Sequence, residues 1–206
     1  MTKKLKKSGG LMDDKKTKIL EKAKELFLIY GVKKTTVDEI AKAAGVGKGT
    51  VYLYFTSKGD IVSDLAVQEA NSIASQLSDV IEKENSAEEK LRVFIKSFIL
   101  NCHDFVNSNR HAADIFDVIR QHRSKCEIND QSYEGEMAEI TKISSEILLA
   151  GKEKDAFIFD DLLELIGNMS FALQSYFPPF SNSLSREELD KKSDYIIDII
   201  IKGLKQ

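Results

Sequence analysis

Residues 36–58, TVDEIAKAAGVGKGTVYLYFTSK, constrain the fold of this chain more than any other stretch, because they specify two short helices meeting at a glycine corner. Thr36-Val-Asp-Glu39 has the spacing of a capping box: the threonine hydroxyl accepts the Glu39 N–H, and the glutamate reaches back to the Thr36 N–H. Val37, Ile40, Ala41 and Ala44 follow at helical spacing and form one apolar stripe. Gly45 ends that helix, since a tight reversal needs the left-handed conformation that glycine adopts freely. Val46 fills the corner, and a second helix starts near Gly47 or Lys48.

On the second helix Val51 and Phe55 lie four residues apart and point inward. Gly49 and Leu53 then face outward, with Lys48 and Tyr52 on one flank and Thr50 and Tyr54 on the other. A solvated helix has little use for a glycine, two tyrosines and a lysine in so short a space, whereas a helix lying against DNA does. Glycine admits the backbone closely, and lysine meets a phosphate or a base. Thr and Tyr hydroxyls donate to phosphates or base edges. The pattern is a helix-turn-helix with 48–54 as the recognition helix. Thr36, Tyr52, Tyr54 and Lys58 are the candidate DNA-backbone contacts.

The stretches ILEKAKELFLIYG (19–31), TTVDEIAKAAGVGKGTVYLYF (35–55) and Ser57-Lys58 resemble the N-terminal domain of the TetR family of bacterial transcriptional regulators. The resemblance covers about residues 15–65 and fixes spacing across three helices. Two departures stand out: Gly47 where the family usually has a serine cap, and Gly59 where it usually has glutamate. The resemblance implies an all-α fold of about nine helices, with a three-helix DNA-binding head and a larger effector-binding and dimerisation body. It also implies a homodimer on a near-palindromic operator, with the last two helices of each subunit forming the dimer interface.

Charge is divided in the same way. Through residue 58 there are 14 lysines against six acidic residues, a net of +8, while the remainder carries 16 basic and 27 acidic residues, a net of −11. A whole-chain charge of −3 conceals a basic head on an acidic body. No run approaches the length of a membrane span, and the basic start MTKKLKKSGGLMDD lacks the apolar core of a secretory signal. The expected location is cytoplasmic, on the nucleoid when DNA is bound. The expected division is a flexible basic arm at 1–12, a DNA-binding domain at 13–58, and an effector and dimerisation domain at 59–206.

The first helix is expected from about Asp14 to Tyr30, with Ile19, Ala23, Leu26, Phe27 and Tyr30 on one face. Lys33 and Lys34 sit where a DNA backbone would pass. A helix from Ser57 to about Lys83 is expected to be the one physical link between head and body. Further helices are expected at about 86–107 behind the Ser86–Glu89 box, 110–123, 133–150 ended by Gly151, 160–177, and from the Ser185–Glu188 box to the end. Residues 124–132 read as a polar connection. The final DYIIDIIIKGL is apolar over most of its circumference and needs cover on all sides, for which a partner subunit is the expected source. Candidate interface residues on the last two helices are Leu162, Ile166, Met169, Leu173, Ile196, Ile197, Ile200 and Leu204.

Phe94, Phe98, Phe105, Phe116, Tyr133, Met137, Met169 and Phe171 are the candidate lining of an effector pocket, since aromatic and Met side chains suit apolar ligands. They are equally what a helical core uses. His122 and Cys126 have a spacing open to metal ligands, but no second pair supports them, so neither a metal nor a cofactor is expected. No nucleophile elbow, phosphate loop or zinc-protease motif is present, and an enzyme is not expected. The partners expected are operator DNA, a second copy of the chain and an apolar or amphipathic small molecule. The rival reading is a dimeric architectural or recruiting DNA-binding protein without an effector.

Overall fold

A computed structural model describes residues 7–109, 111–115 and 138–205, and its regular structure is all-helical, as expected. The helices are α1 (Lys7–Tyr30), α2 (Val37–Ala44), α3 (Lys48–Tyr54), α4 (Lys58–Gln76), α5 (Ser78–Ile81), α6 (Ala87–Ser108), α7 (Ala138–Glu153), α8 (Leu162–Leu173) and α9 (Arg186–Gly203). A helical turn at 112–115 lies between α6 and α7, and two 3-10 turns, Gln174–Tyr176 and Phe180–Ser183, separate α8 from α9. Among the described residues no helix is long and apolar enough to cross a membrane.

The chain forms two compact units, residues 1–66 with 109–127, and residues 67–108 with 128–206. The first unit is the head. Its core joins Ile19, Leu20, Ala23 and Phe27 of α1 to Ile40, Ala41 and Ala44 of α2, Val51 of α3, Phe55, and Ile61, Val62 and Leu65 of α4. Ile115, from far along the chain, completes the same cluster at 4% exposure. The turn carrying it lies against Gly31, where an added Cβ would stand 3.0 Å from Asp114 Oδ2 and 3.2 Å from His111 Nδ1. Gly31 also has φ +85°, and it is this backbone conformation that requires glycine there. Helix α4 is therefore not the only segment shared between the halves of the sequence, as the helical pattern had suggested.

α1 starts at Lys7, not near Asp14, so residues 7–12 of the expected arm are helical; residues 1–6 lie outside the described residues. Extending an existing helix needs no new nucleus, which lets it run through Ser8-Gly9-Gly10 despite their poor propensity. Tyr30 is 56% exposed rather than inward, and Leu20 takes a core place instead. The long helix expected from Ser57 to about Lys83 is interrupted at Leu77, and Leu77 and Ile81 are both buried. Of the helix expected at 110–123 only 111–115 is described, and of that expected at 133–150 only the part from 138 on; the connection at 124–132, His122 and Cys126 lie outside the described residues.

In the second unit Leu91, Phe94, Ile95 and Ile99 of α6 share one core with Ile147 and Leu148 of α7, Met169 and Leu173 of α8, and Leu189, Ile197 and Ile201 of α9. α6 and α9 run antiparallel, as their ion pairs show: Arg92 with Asp198 at 2.5 Å, Lys96 with Asp190 and Asp194 at 2.9 Å each, Arg186 with Asp104 at 3.1 Å. Each rung rises on one helix as it falls on the other. Burial would depress the Lys96 ammonium, but Asp194 and Asp190 outweigh it and raise its pKa. Pairs this exposed contribute little each, and the apolar seam beneath them supplies the stability.

Gly151 does not end its helix. α7 runs on to Glu153, and the left-handed residue of the exit is Asp155 at φ 55°. Gly151 is instead the floor under Phe157, whose ring carbon Cδ2 would lie 2.1 Å from an added Cβ. Phe157 is 1% exposed and has nowhere to retreat. Gly151→Ala should therefore cost about 1–3 kcal/mol of overpacking, read as a lower urea midpoint at unchanged slope. An unchanged midpoint would show that the Phe157 ring can shift freely.

Candidate nucleic-acid interface

The helix-turn-helix forms as its local signals dictate. Glu39 N donates to Thr36 Oγ1 at 3.3 Å and Thr36 N donates to Glu39 Oε2 at 2.7 Å, closing the capping box. The Thr36 amide and hydroxyl together hold the Glu39 carboxyl below its ordinary value. Gly45 is left-handed at φ 67°, and Val46 N returns to the Ala41 carbonyl at 2.9 Å. α3 then starts at Lys48 behind Gly47, which makes no side-chain cap bond.

Val51 and Phe55 are 0% and 3% exposed, so α3 is seated on the head's core. Its opposite face is open: Leu53 is 79% and Tyr52 48% exposed, and nothing stands within 4 Å of a Cβ at Gly49. Thr36 and Lys48 are exposed as well, as are Lys33 and Lys34. Thr50 and Tyr54 are half-buried, and Tyr54 packs on the head's core with its ring 6.4 Å from that of Phe55. Lys48 Nζ donates to Asp38 Oδ2 at 2.9 Å, and this hydrogen bond and charge raise the lysine's pKa. Sequence reasoning passed over Asp38, although the opposite charges ten residues apart across a tight turn were visible.

Lys58 is placed differently from the expected phosphate contact. Its Nζ donates to the Val32 carbonyl at 2.7 Å and to the Thr35 carbonyl at 2.8 Å. It thus braces the loop that delivers Thr36 to α2. Thr35 Oγ1 donates to Gly31 O at 2.9 Å and closes the same loop from within. The start of α4 has a second brace in Asp60, whose carboxylate accepts the amides of Thr56 at 2.8 Å and Ser57 at 3.0 Å, with both hydroxyls also donating to it. Gly59 is an ordinary first-turn residue of α4.

The aromatic and Met set of the body divides. Phe94 stacks on Phe98 at 6.1 Å, Phe98 meets Phe177 edge-on at 5.5 Å, and Met169 is buried with them in the same core. Phe105 is half-buried. Phe171 is 80% exposed and lines no interior; Phe116, Tyr133 and Met137 lie outside the described residues. The candidate interface residues divide as well. Met169, Leu173, Ile197 and Leu204 belong to the unit's own core, with Leu162, Ile166, Ile196 and Ile200 packed against it. The outward row is Leu163 and Phe171 on α8 (67% and 80% exposed) and Tyr195 and Ile199 on α9 (73% and 51%). Each pair is spaced at one or two helical turns, about a residue out of register with the expected set. An open hollow of about 430 Å³ lies on the head, lined by Leu26, Tyr30, Lys34, Thr35 and Glu39.

A short, open-faced helix seated behind a capped helix and a left-handed glycine defines a helix-turn-helix. Residues 19–65 match the sequence model of the bacterial regulatory proteins, tetR family. The match lies within the head, and the curated relatives found are named as transcriptional regulators. The fatty acid metabolism regulator protein of Bacillus subtilis (strain 168) is 35% identical over 77 residues, 37% of this chain and 40% of that protein. The chain thus spans less than half the length of this curated relative. Solved structures share the fold across nearly the whole chain. Thermus thermophilus FadR, a TetR-family repressor in complex with lauroyl-CoA, superposes with TM-score 0.70 at 18% identity over 92% of this chain and 94% of that one. RolR in complex with resorcinol gives 0.65 at 18% identity over 95% and 90%.

Two outcomes separate bracing from DNA contact. Lys58→Met leaves two loop carbonyls without a donor and should cost about 1–3 kcal/mol of head stability, with DNA affinity falling but its salt slope unchanged. Lys48→Ala should leave stability intact and lower the log–log salt slope by about 0.9. The same slope loss for both variants would return Lys58 to the phosphate contacts.

Asp60 also makes the head acid-sensitive. Burial pushes its pKa up, but the hydroxyl and amide donors of Thr56 and Ser57 outweigh that and hold it below the ordinary value. Its contribution is complete above the usual carboxylate range and is lost as pH falls through the depressed value. Urea unfolding between about pH 5 and pH 2, near the Asp range, should show a stability loss that Asp60→Asn flattens. An equal loss in the variant would place the acid sensitivity elsewhere.

Proposed function

We propose that this chain is a ligand-responsive transcriptional regulator, acting as a repressor, that binds a near-palindromic operator as a homodimer and is released by a small apolar or amphipathic effector. The observation that carries the reading is α3, with its Lys48, Gly49, Tyr52 and Leu53 surface held open while Val51 and Phe55 anchor it. The basic charge of this half of the sequence fits a phosphate partner.

Dimerisation runs through α8 and α9. Leu163 and Phe171 flank Gly167, and Tyr195 and Ile199 lead to Gly203; neither glycine has anything within 4 Å of an added Cβ. Four large apolar side chains around two bare glycines make a surface that a second helix pair can approach closely. In a two-fold dimer the recognition helices enter successive major grooves. The effector reading is supported by the aromatic run Phe94–Phe98–Phe177 in the body. The ligands bound by the fold neighbours, lauroyl-CoA and resorcinol, are the first compounds to screen.

Duplexes recovered from a random pool by the full chain should share half-sites about one helical turn apart. Leu163→Glu with Phe171→Glu should sediment as a folded monomer and bind such a duplex poorly. A folded dimer in that double variant would move the interface elsewhere. A compound found by thermal shift should lose affinity when operator is saturating by the factor, about 5- to 150-fold, that it imposes on DNA binding. A ligand indifferent to operator would favour the reading without an effector.

A further inference from the structure

The ion pair between Lys48 and Asp38 lies where a DNA reader should want uncompensated positive charge. Lys48 opens α3, Asp38 sits in the first turn of α2, and the 2.9 Å bond between them spans the Gly45 corner. Both side chains stay open to solvent, at 53% and 64%. The neighbouring acid, Glu39, is occupied by the Thr36 cap, and the first turn of α3 contains no acid. Among the described residues Asp38 is thus the acid paired with Lys48, and the pair lies one helical turn from Tyr52, on the face left open by the head's core.

We propose that Asp38 is a charge gate on the recognition helix, a positioning and selectivity residue that holds Lys48 neutralised in the free head and surrenders it only to a phosphate brought into register by the other contacts. The inference rests on the DNA-binding reading of α3. An exposed pair is weak enough to open in favour of a phosphate. Binding to DNA of arbitrary sequence is almost wholly electrostatic, so one cancelled charge weighs most heavily there. Binding to a preferred sequence adds base-edge contacts that do not depend on this lysine's charge. The pair therefore widens the ratio between specific and non-specific binding without touching a base.

The test measures wild type, Asp38→Asn, Asp38→Ser, Lys48→Met and the double variant Asp38→Asn/Lys48→Met on a random-sequence duplex and on a duplex selected by wild type, across a salt series. Asp38→Asn and Asp38→Ser should bind the random duplex more tightly at about 50 mM salt, with a slope steeper by about 0.9. Their advantage should therefore shrink about eightfold for each tenfold rise in salt. Affinity for the selected duplex should rise less, so selectivity falls. In the Lys48→Met background the substitution at Asp38 should no longer matter. If the gain persists there, Asp38 merely repels phosphates and the gate is overturned. An unchanged slope in both single variants at Asp38, with wild type binding normally, also overturns it. Failure of wild type itself to bind the random duplex at about 50 mM salt would overturn the DNA-binding reading, a distinct result.

Discussion

One ammonium group holds the two-helix reader in register. Lys58 reaches from the start of α4 to the carbonyls of Val32 and Thr35, on the loop between α1 and α2. Backbone carbonyls shielded from water need donors, and this loop is too short and too bent to supply them all itself. Its last residue is Thr36, the cap that starts α2, and α2 in turn presents the Gly45 corner from which α3 departs. The orientation of the open face is therefore inherited step by step from a side chain that need never touch DNA. Lys16 completes the seat from α1, pairing with Asp64 at 2.6 Å and lying 5.6 Å over the Phe55 ring.

The two units use charge for opposite ends. In the head the braces at Asp60, Glu39 and Lys58 are two carboxylates and an ammonium group bonded to backbone. In the second unit the charges form rungs between α6 and α9 above an apolar seam, where they fix direction and register more than they stabilise. The acidic excess after residue 58 opposes the basic excess before it, so the two parts of the sequence would meet a polyanion differently. Within the head, the pairing of Lys48 with Asp38 applies the same opposition on the scale of a single side chain.

What the sequence made legible was local. The capping boxes at Thr36 and Ser185, the left-handed Gly45 and the inward Val51 and Phe55 are all set by residues within four or five positions, where geometry leaves few choices. The Ser185 box closes with Glu188 N on Ser185 Oγ at 3.2 Å and Ser185 N on Glu188 Oε2 at 2.8 Å. What escaped was non-local. Nothing near Gly151 announces that Phe157 will lie on it, and helical pattern alone made it a stop. α8 is apolar on so many sides that periodicity could not choose between Met169, which is buried, and Phe171, which is not. Lys58 looked like a phosphate ligand because the carbonyls it serves are more than twenty residues away.

Ile115 bears on how such proteins diversify. A recombination joint placed in α4 looks natural, since it would separate residues matching a shared family domain from a body free to vary. Yet a segment encoded more than forty residues downstream returns to fill the head's core and packs on Gly31. A transplanted reader severed after residue 66 would leave behind one of its own apolar pieces and display the vacancy to water. Exchange of DNA specificity between lineages is then easier by substitution on the open face of α3 than by wholesale shuffling, and the turn at 111–115 should travel in inheritance with the reader rather than with the body that surrounds it in the gene.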